Sequence, residues 1–174
     1  MARVSVGDPA PEFSLRSQDG EVVKLSGLLR RGSVVVYFYP KDRTPGCTAE
    51  AGAFRDSYPK FAELGAEVVG ISSDSVDSHK GFANECGLPF RILSDADGEV
   101  RRKYGVSSSM GMIPGRVTYV VDKSGIVRYI FSSQLQATRH VKEALMALGS
   151  VADEGGASKP YGGERQARSP LELE

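Results

Sequence analysis

Residues 33–39, Ser-Val-Val-Val-Tyr-Phe-Tyr, form an unbroken β-branched and aromatic run, the pattern of a mid-sheet strand covered on both faces, and Pro40 closes it. The next apolar positions recur with a different period. Phe54, Tyr58, Phe61 and Leu64 are spaced by three and four, which predicts a helix from about residue 47 to 64. A second buried strand is predicted at 67–71, followed by a helix that Asp74 or Ser75 can cap and Gly87 can end. Beyond it the pattern predicts a strand at 90–93, a helix at 97–104, strands at 117–121 and 126–131 around Lys123-Ser124-Gly125, and an amphipathic helix at 137–148. Near the start, 12–15 and 22–25 read as a hairpin around Asp19-Gly20, a pair that supplies the positive φ a tight turn needs. An N-terminal hairpin followed by β-α-β-α-β-β-α predicts an α/β fold, a central mixed sheet flanked by helices on both sides.

From residue 150 the periodicity stops, and glycine, proline, serine and charge dominate to Glu174. Such a segment buries too little surface to offset the entropy of ordering it. The expected division is therefore a folded domain at 1–149 and a disordered tail at 150–174, and the final Leu171-Glu172-Leu173-Glu174 carries no functional reading.

Composition narrows the function classes. The 174 residues are 40% hydrophobic and 25% charged, enough for one soluble core. Lysine plus arginine and aspartate plus glutamate both total 22, so no charge excess argues for nucleic acid or an anionic membrane, and a small neutral substrate suits the chain better. No apolar stretch approaches the roughly 18 residues of a membrane span, and the first residues lack the order of a signal peptide. A cytoplasmic location is expected, with the plastid stroma as the alternative if a transit peptide has been removed. Cys47 and Cys86 are the only cysteines, too few for a stapled scaffold or a four-ligand zinc site.

The chemistry-bearing segment is Thr44-Pro45-Gly46-Cys47-Thr48, between the end of a strand and the first turn of a helix. Unpaired N–H groups and the helix dipole there favour an anion, and the thiolate is the reactive form of cysteine. Thr44 lies three residues earlier, where its hydroxyl could touch both the sulfur and a bound peroxide, and Pro45 could shield the sulfur from water. Arg116, in Pro114-Gly115-Arg116 just before the strand at 117–121, is the candidate positive group from the same end of the sheet. These residues fit a displacement in which sulfur attacks one peroxide oxygen, the other leaves as water or alcohol, and a sulfenic acid remains, with no cofactor or metal required. They are equally compatible with a structural cysteine beside a common Thr-Pro-Gly turn.

His79 and His140 recur with neither cysteine nor acid at a ligand spacing, and both are expected at the surface. Phe38, Tyr39, Met110 and Met112 are candidates for an apolar rim that admits alkyl hydroperoxides, although core packing explains the aromatics as well.

Several ordered segments carry a resemblance: Gly7-Asp8-Pro9-Ala10-Pro11-Glu12-Phe13, Tyr37-Phe38-Tyr39-Pro40-Lys41-Asp42, Thr44-Pro45-Gly46-Cys47-Thr48 and Pro114-Gly115-Arg116-Val117-Thr118-Tyr119-Val120-Val121-Asp122. Over about residues 4–148 the chain resembles the peroxiredoxins, specifically the peroxiredoxin Q or bacterioferritin-comigratory-protein group. The resemblance implies a thioredoxin-like fold with the hairpin as an N-terminal extension. It implies a thiol-dependent peroxidase acting on hydrogen peroxide and organic hydroperoxides, recycled by thioredoxin or a similar dithiol protein and monomeric. It further implies Cys47 as the peroxidatic cysteine, Thr44 and Arg116 as its activating partners, and Pro45 as its shield.

One departure matters. Many members carry a second cysteine five residues after the first, and here that place holds Gly52. Some members place a resolving cysteine in the later helix, which implies an intramolecular Cys47–Cys86 disulfide. Cys86 also follows Phe82 by four and Ala83 by three, so an inert place on that helix's apolar face stays open. A disulfide needs Cα atoms within about 4.4–6.8 Å, so bridging two helices would unwind the first turn of the Cys47 helix. Gly52, costing about 1 kcal/mol against alanine in a helix, would ease that, and close packing at this position explains the glycine equally well.

The rival readings are a one-cysteine peroxidase resolved by an external thiol, a dithiol-disulfide reductase and a noncatalytic chaperone or interaction domain. The reductase would need Cys-x-x-Cys, which is absent. Full activity in Cys47→Ser would favour the interaction domain.

Overall fold

The computed structural model describes residues 3–106, 108, 109 and 113–153. In chain order the elements are β1 (Ser14–Ser17), β2 (Val22–Lys24), α1 (Leu25–Leu29), β3 (Ser33–Phe38), α2 (Pro45–Glu63), β4 (Ala66–Ser72) and α3 (Val76–Cys86). They continue with β5 (Arg91–Ser94), α4 (Glu99–Tyr104), β6 (Ser108–Ser109), β7 (Ile113–Pro114), β8 (Val117–Val121), β9 (Val127–Ser132) and α5 (Arg139–Asp153).

Seven strands make one mixed sheet in the order β2-β1-β5-β4-β3-β8-β9, and β6 pairs with β7 separately. β3 runs parallel to β4 and antiparallel to β8, and β4 runs parallel to β5. Because side chains alternate along a strand, the run at β3 splits between two cores. Val35, Tyr37 and Tyr39 pack with Phe54, Phe61, Phe82, Val141 and Leu148, under α2, α3 and α5. Val34, Val36 and Phe38 pack with Leu25, Leu28, Val100 and Tyr104, under α1 and α4. Each such side chain contributes roughly 1.5–3 kcal/mol by leaving water, which is why β3 is apolar at every position after Ser33.

The predicted elements are present with shifted ends. Ser75 rather than Asp74 caps α3, accepting from the Ser78 amide at 3.1 Å, and Gly87 ends it in the left-handed region at φ 59°. The short α1, which the pattern did not predict, seats Leu25 and Leu28 in the second core. Helix α5 continues to Asp153, so residues 150–153 are not tail: Val141, Ala144, Leu148 and the half-buried Val151 extend one apolar stripe. The rest of the expected tail lies outside the described residues. Among the described residues no helix is long and apolar enough to cross a membrane.

Two connections of the sheet build the functional end. The chain leaves β3 after Phe38 and reaches α2 within a short loop, while Val117, the first residue of β8, is the register partner of Phe38. The antiparallel pairing therefore sets Arg116 beside the loop that leads to Cys47.

Candidate active site

Helix α2 starts at Pro45 with Thr44 as its extended N-cap residue (φ −74°, ψ 152°). Proline suits that first position because it has no N–H to leave unpaired. The first intrahelical bond runs from the Thr48 amide to the Thr44 carbonyl at 2.9 Å, so the amides of Gly46 and Cys47 have no carbonyl of their own helix to meet. Cys47 lies at this positive end of α2 and is 1% exposed.

Arg116 reaches the sulfur from β8. Its Nη2 lies 3.5 Å from Cys47 Sγ, its Nη1 donates to Glu50 Oε1 at 2.6 Å, and its Nε donates to the Gln134 carbonyl at 3.2 Å. Three anchors fix a flexible side chain into one pose. Gly46 leaves the room for it, since a Cβ there would meet Arg116 Nη2 at 3.1 Å. Burial alone would lower the guanidinium's pKa, but Glu50 and Cys47 beside it raise it, so it stays charged.

Glu50 is fully buried, and burial pushes its carboxyl up to about 8 against the pull of Arg116. Among the described residues its Oε2 accepts no hydrogen bond, and it sits 3.8 Å from His140 Nδ1. His140 Nε2 is 2.8 Å from the Ser133 carbonyl, which can only accept, so that nitrogen carries the proton. Nδ1 then accepts from the Thr118 hydroxyl at 2.7 Å. Burial pushes the ring down to about 3, so the short approach to Glu50 is a contact with a neutral imidazole and not an ion pair.

The loop before Cys47 is tied to α3. Asp42 accepts from the Tyr39 hydroxyl at 2.7 Å and the Ser78 hydroxyl at 2.9 Å, and pairs with His79 Nδ1 at 2.7 Å. Burial pushes the Asp42 carboxyl up, but the hydrogen bonds from His79 and Tyr39 outweigh it and hold the group below its ordinary value. The Asp42 amide donates to Asp74 at 2.9 Å, and Arg43, at φ 67°, pairs with Glu85 of α3. Asp42, Asp74 and His79 bring ligand atoms within 4.8 Å of one another, and these atoms are engaged in the hydrogen bonds just described.

Cys86 ends α3. It is half-buried, packs against the core cluster that contains Cys47, and its carbonyl accepts from Arg55 of α2 at 2.7 Å. Burial pushes its thiol up against the pull of Arg55, and both cysteines are free.

The structure thus brings Arg116 to Cys47, as read from the sequence. Thr44 sits at the helix start, but its hydroxyl donates to the Lys41 carbonyl at 3.0 Å, so only its lone pairs are left for the site. Pro45 is itself exposed at the rim while Cys47 beneath is covered. Three expectations need correcting. His79 and His140 are both 0% exposed, held inside by partners distant in sequence. Phe38 is no rim residue, because the alternation of β3 turns it into the opposite core against Tyr104 and Tyr119. Tyr39 is buried rather than at a rim, and Met110 and Met112 lie outside the described residues.

Sequence reading missed Glu50 and Arg101. A signal existed for the first: Glu50 stands three residues after Cys47 and four before Phe54, on the helix face that is buried, where an unpaired carboxylate does not belong. Arg101 of α4, nearly buried, joins the Gly115 and Tyr39 carbonyls at 3.0 Å each and so clamps the end of β3 to the residue before Arg116.

The AhpC/TSA family profile matches residues 6–130. The chloroplastic peroxiredoxin Q of Oryza sativa subsp. japonica is 53% identical over 150 residues, 86% of this chain and 69% of the relative. The peroxidoxin BcpB of Mycobacterium tuberculosis superposes with a TM-score of 0.79 at 39% identity, covering 84% of this chain and 97% of that one. The Xanthomonas campestris bacterioferritin comigratory protein, described for its alkyl peroxide reduction activity, superposes with a TM-score of 0.74 at 31% identity, over 80% of this chain and 92% of its own. A buried cysteine at a helix start under an arginine, on a thioredoxin-like sheet shared with these proteins, places the chain in the AhpC/TSA family, among the peroxidases of the peroxiredoxin Q and bacterioferritin-comigratory-protein group.

Proposed function

We propose that Cys47 is the sulfur that attacks the hydroperoxide, that Arg116 is its charged partner, and that Thr44 and Pro45 shape the approach. The observation that carries this is the fixed guanidinium 3.5 Å from a covered sulfur at a helix N-terminus. The Cys47 thiolate attacks one oxygen in line, the O–O bond breaks, and the other oxygen leaves as water or alcohol with a proton from the site. Arg116 and the free amides of the first turn face the negative charge before and during that step. The raised pKa of Glu50 weakens its hold on the guanidinium charge and leaves more of it for the sulfur. Thr44 has acceptor lone pairs for the proton of the incoming peroxide, since its own proton is used on Lys41.

Cys86 is the resolving cysteine in this account, closing an intramolecular disulfide with Cys47 that thioredoxin or a similar dithiol protein reduces. Its half-buried place against the core that holds Cys47, at a frayable helix end, supports the reading. The substrate class is hydrogen peroxide and alkyl hydroperoxides, the latter by likeness to the Xanthomonas protein. The unit that acts is a single copy of the folded domain, residues 1–149 as read from the sequence with α5 carried on to Asp153. The chloroplastic relatives favour the plastid stroma over the cytoplasmic location expected from sequence. The test is mass analysis after one equivalent of peroxide: a loss of two hydrogens in the wild type and an oxygen adduct on Cys47 in Cys86→Ser. A wild-type product that keeps an oxygen on Cys47 and a free Cys86 contradicts the resolving role and leaves the one-cysteine reading.

A further inference from the structure

Tyr37 has no part in the chemistry described so far, yet it lies in the core cluster that holds Cys47 and against which Cys86 packs. The residue is 1% exposed on β3, its ring stacked on Phe54 of α2 at 4.4 Å between centroids and meeting Phe90 edge-on at 6.1 Å. Its hydroxyl has no hydrogen-bond partner among the described residues. A buried polar group without a partner costs stability, and phenylalanine would fill the same space without that cost. The fold makes a second concession to the same group. Gly70, the register partner of Tyr37 on β4, has no side chain, and a Cβ there would lie 2.7 Å from Tyr37 Cζ and 2.9 Å from its hydroxyl oxygen.

The surroundings say what the hydroxyl could meet. Burial, and after it Glu50, Cys47, Asp42 and Cys86, all lie against ionisation of the phenol, so it keeps its proton and remains a donor. Tyr37 and Cys47 belong to one buried core cluster, and Cys86 packs against that cluster. The two cysteines stand at helix ends, Cys47 in the first turn of α2 and Cys86 in the last position of α3, where local unwinding is cheap. Tyr37 stands on a strand hydrogen-bonded to β4 on one side and β8 on the other. The cysteines can move and the phenol cannot.

We propose that the Tyr37 hydroxyl serves the resolving step as a fixed hydrogen-bond donor to the sulfenic oxygen of Cys47. This rests on the reading of Cys86 as the resolving cysteine. In that step the Cys86 thiol gives its proton to solvent, its sulfur bonds to the Cys47 sulfur, and the S–O bond breaks. The electron pair leaves with the oxygen as hydroxide, which takes up a proton and departs as water; Cys86 is oxidised and the Cys47 sulfur reduced. A donor held on the leaving oxygen stabilises the charge that grows there and keeps the sulfur turned toward Cys86.

Tyr37→Phe removes one oxygen atom and nothing else. With one equivalent of hydrogen peroxide, quenched at intervals and read by mass, its disulfide should form about tenfold more slowly than in the wild type, the worth of one hydrogen bond to a developing charge. Over-oxidation to sulfinic acid under excess peroxide should rise accordingly, and the melting temperature should be equal to or above that of the wild type. A merely structural hydroxyl would lower the melting temperature and leave the split between disulfide and sulfinic acid alone. Disulfide formation at the wild-type rate in Tyr37→Phe, with a wild type that does form the bridge, overturns the role of Tyr37 alone. A wild type that forms no bridge overturns the resolving role of Cys86 and this inference with it.

Discussion

The two cysteines of this chain occupy opposite kinds of helix end, and the contrast fits the division of labour proposed for them. Cys47 lies at the start of α2, where amides converge, covered from water and faced by a guanidinium with three anchors. Cys86 lies at the finish of α3, where carbonyls converge and oppose an anion, and burial pushes its thiol up. The first arrangement sets a guanidinium and a helix start against the sulfur. The second keeps a thiol protonated until the local structure changes. A sulfur that must react with a scarce small oxidant needs the first; one that must wait for an oxidised neighbour is served by the second.

The comparison breaks most sharply at Arg116. Arg116→Met removes the guanidinium from Cys47 and strands Glu50 without its cation, and peroxide reduction should fall about 10²–10³-fold, as on loss of a preorganised donor to reacting charge. A kinetic trace of peroxide loss checks it, and a fall of less than about tenfold would mean that the helix end alone activates the sulfur. Cys86→Ser should be milder: the first oxidation proceeds, and thioredoxin-linked turnover drops as Cys47 collects as sulfenic and sulfinic acid. Steady-state turnover with thioredoxin, set beside the mass of the protein, reads both.

Smaller effects follow from the buried groups behind Arg116. Glu50 has its pKa raised from 4.5 to about 8, so its contribution to stability is complete below 4.5 and is lost as pH rises to about 8. His140 has its pKa lowered from 6.5 to about 3, so its contribution is complete above 6.5 and is lost as pH falls to about 3. The two slopes oppose each other between 4.5 and 6.5 and separate outside it. Glu50→Gln should flatten the stability profile between pH 6.5 and 8, and His140→Gln should flatten it between pH 3 and 4.5, each by on the order of a few kcal/mol across its whole interval. Urea unfolding at stepped pH measures both. Smallest of all, Gly46→Ala should shift Arg116 by a few tenths of an ångström and cost activity a few-fold, because the clash is with the tip of a side chain at 3.1 Å.

How much of this was legible in the chain varies with distance along it. The β3 run and the α2 stripe predicted their elements because strand and helix periods are local. Helix α1 did not show because five residues span barely more than one turn. The end of α5 did not show because Val151 extends its stripe into a segment of low apolar content. Cys47, Thr44 and Pro45 are neighbours and were read together, and Arg116 was placed by its strand. Glu50 stood in plain view as a carboxylate on an apolar face and was passed over. The histidines could not be read, because the groups that bury them, Asp42 for His79 and Thr118 with Ser133 for His140, come together only through the sheet. A lone polar residue discloses its surroundings only when the long-range register is known.

The central claim is that Cys47, and not its companion, is the sulfur that meets the peroxide. Stopped-flow consumption of hydrogen peroxide by reduced wild-type protein and by Cys47→Ser tests it most directly. The account predicts second-order consumption by the wild type and none above the buffer rate in Cys47→Ser, even though Cys86 remains. Consumption by Cys47→Ser at a rate comparable with the wild type would contradict it.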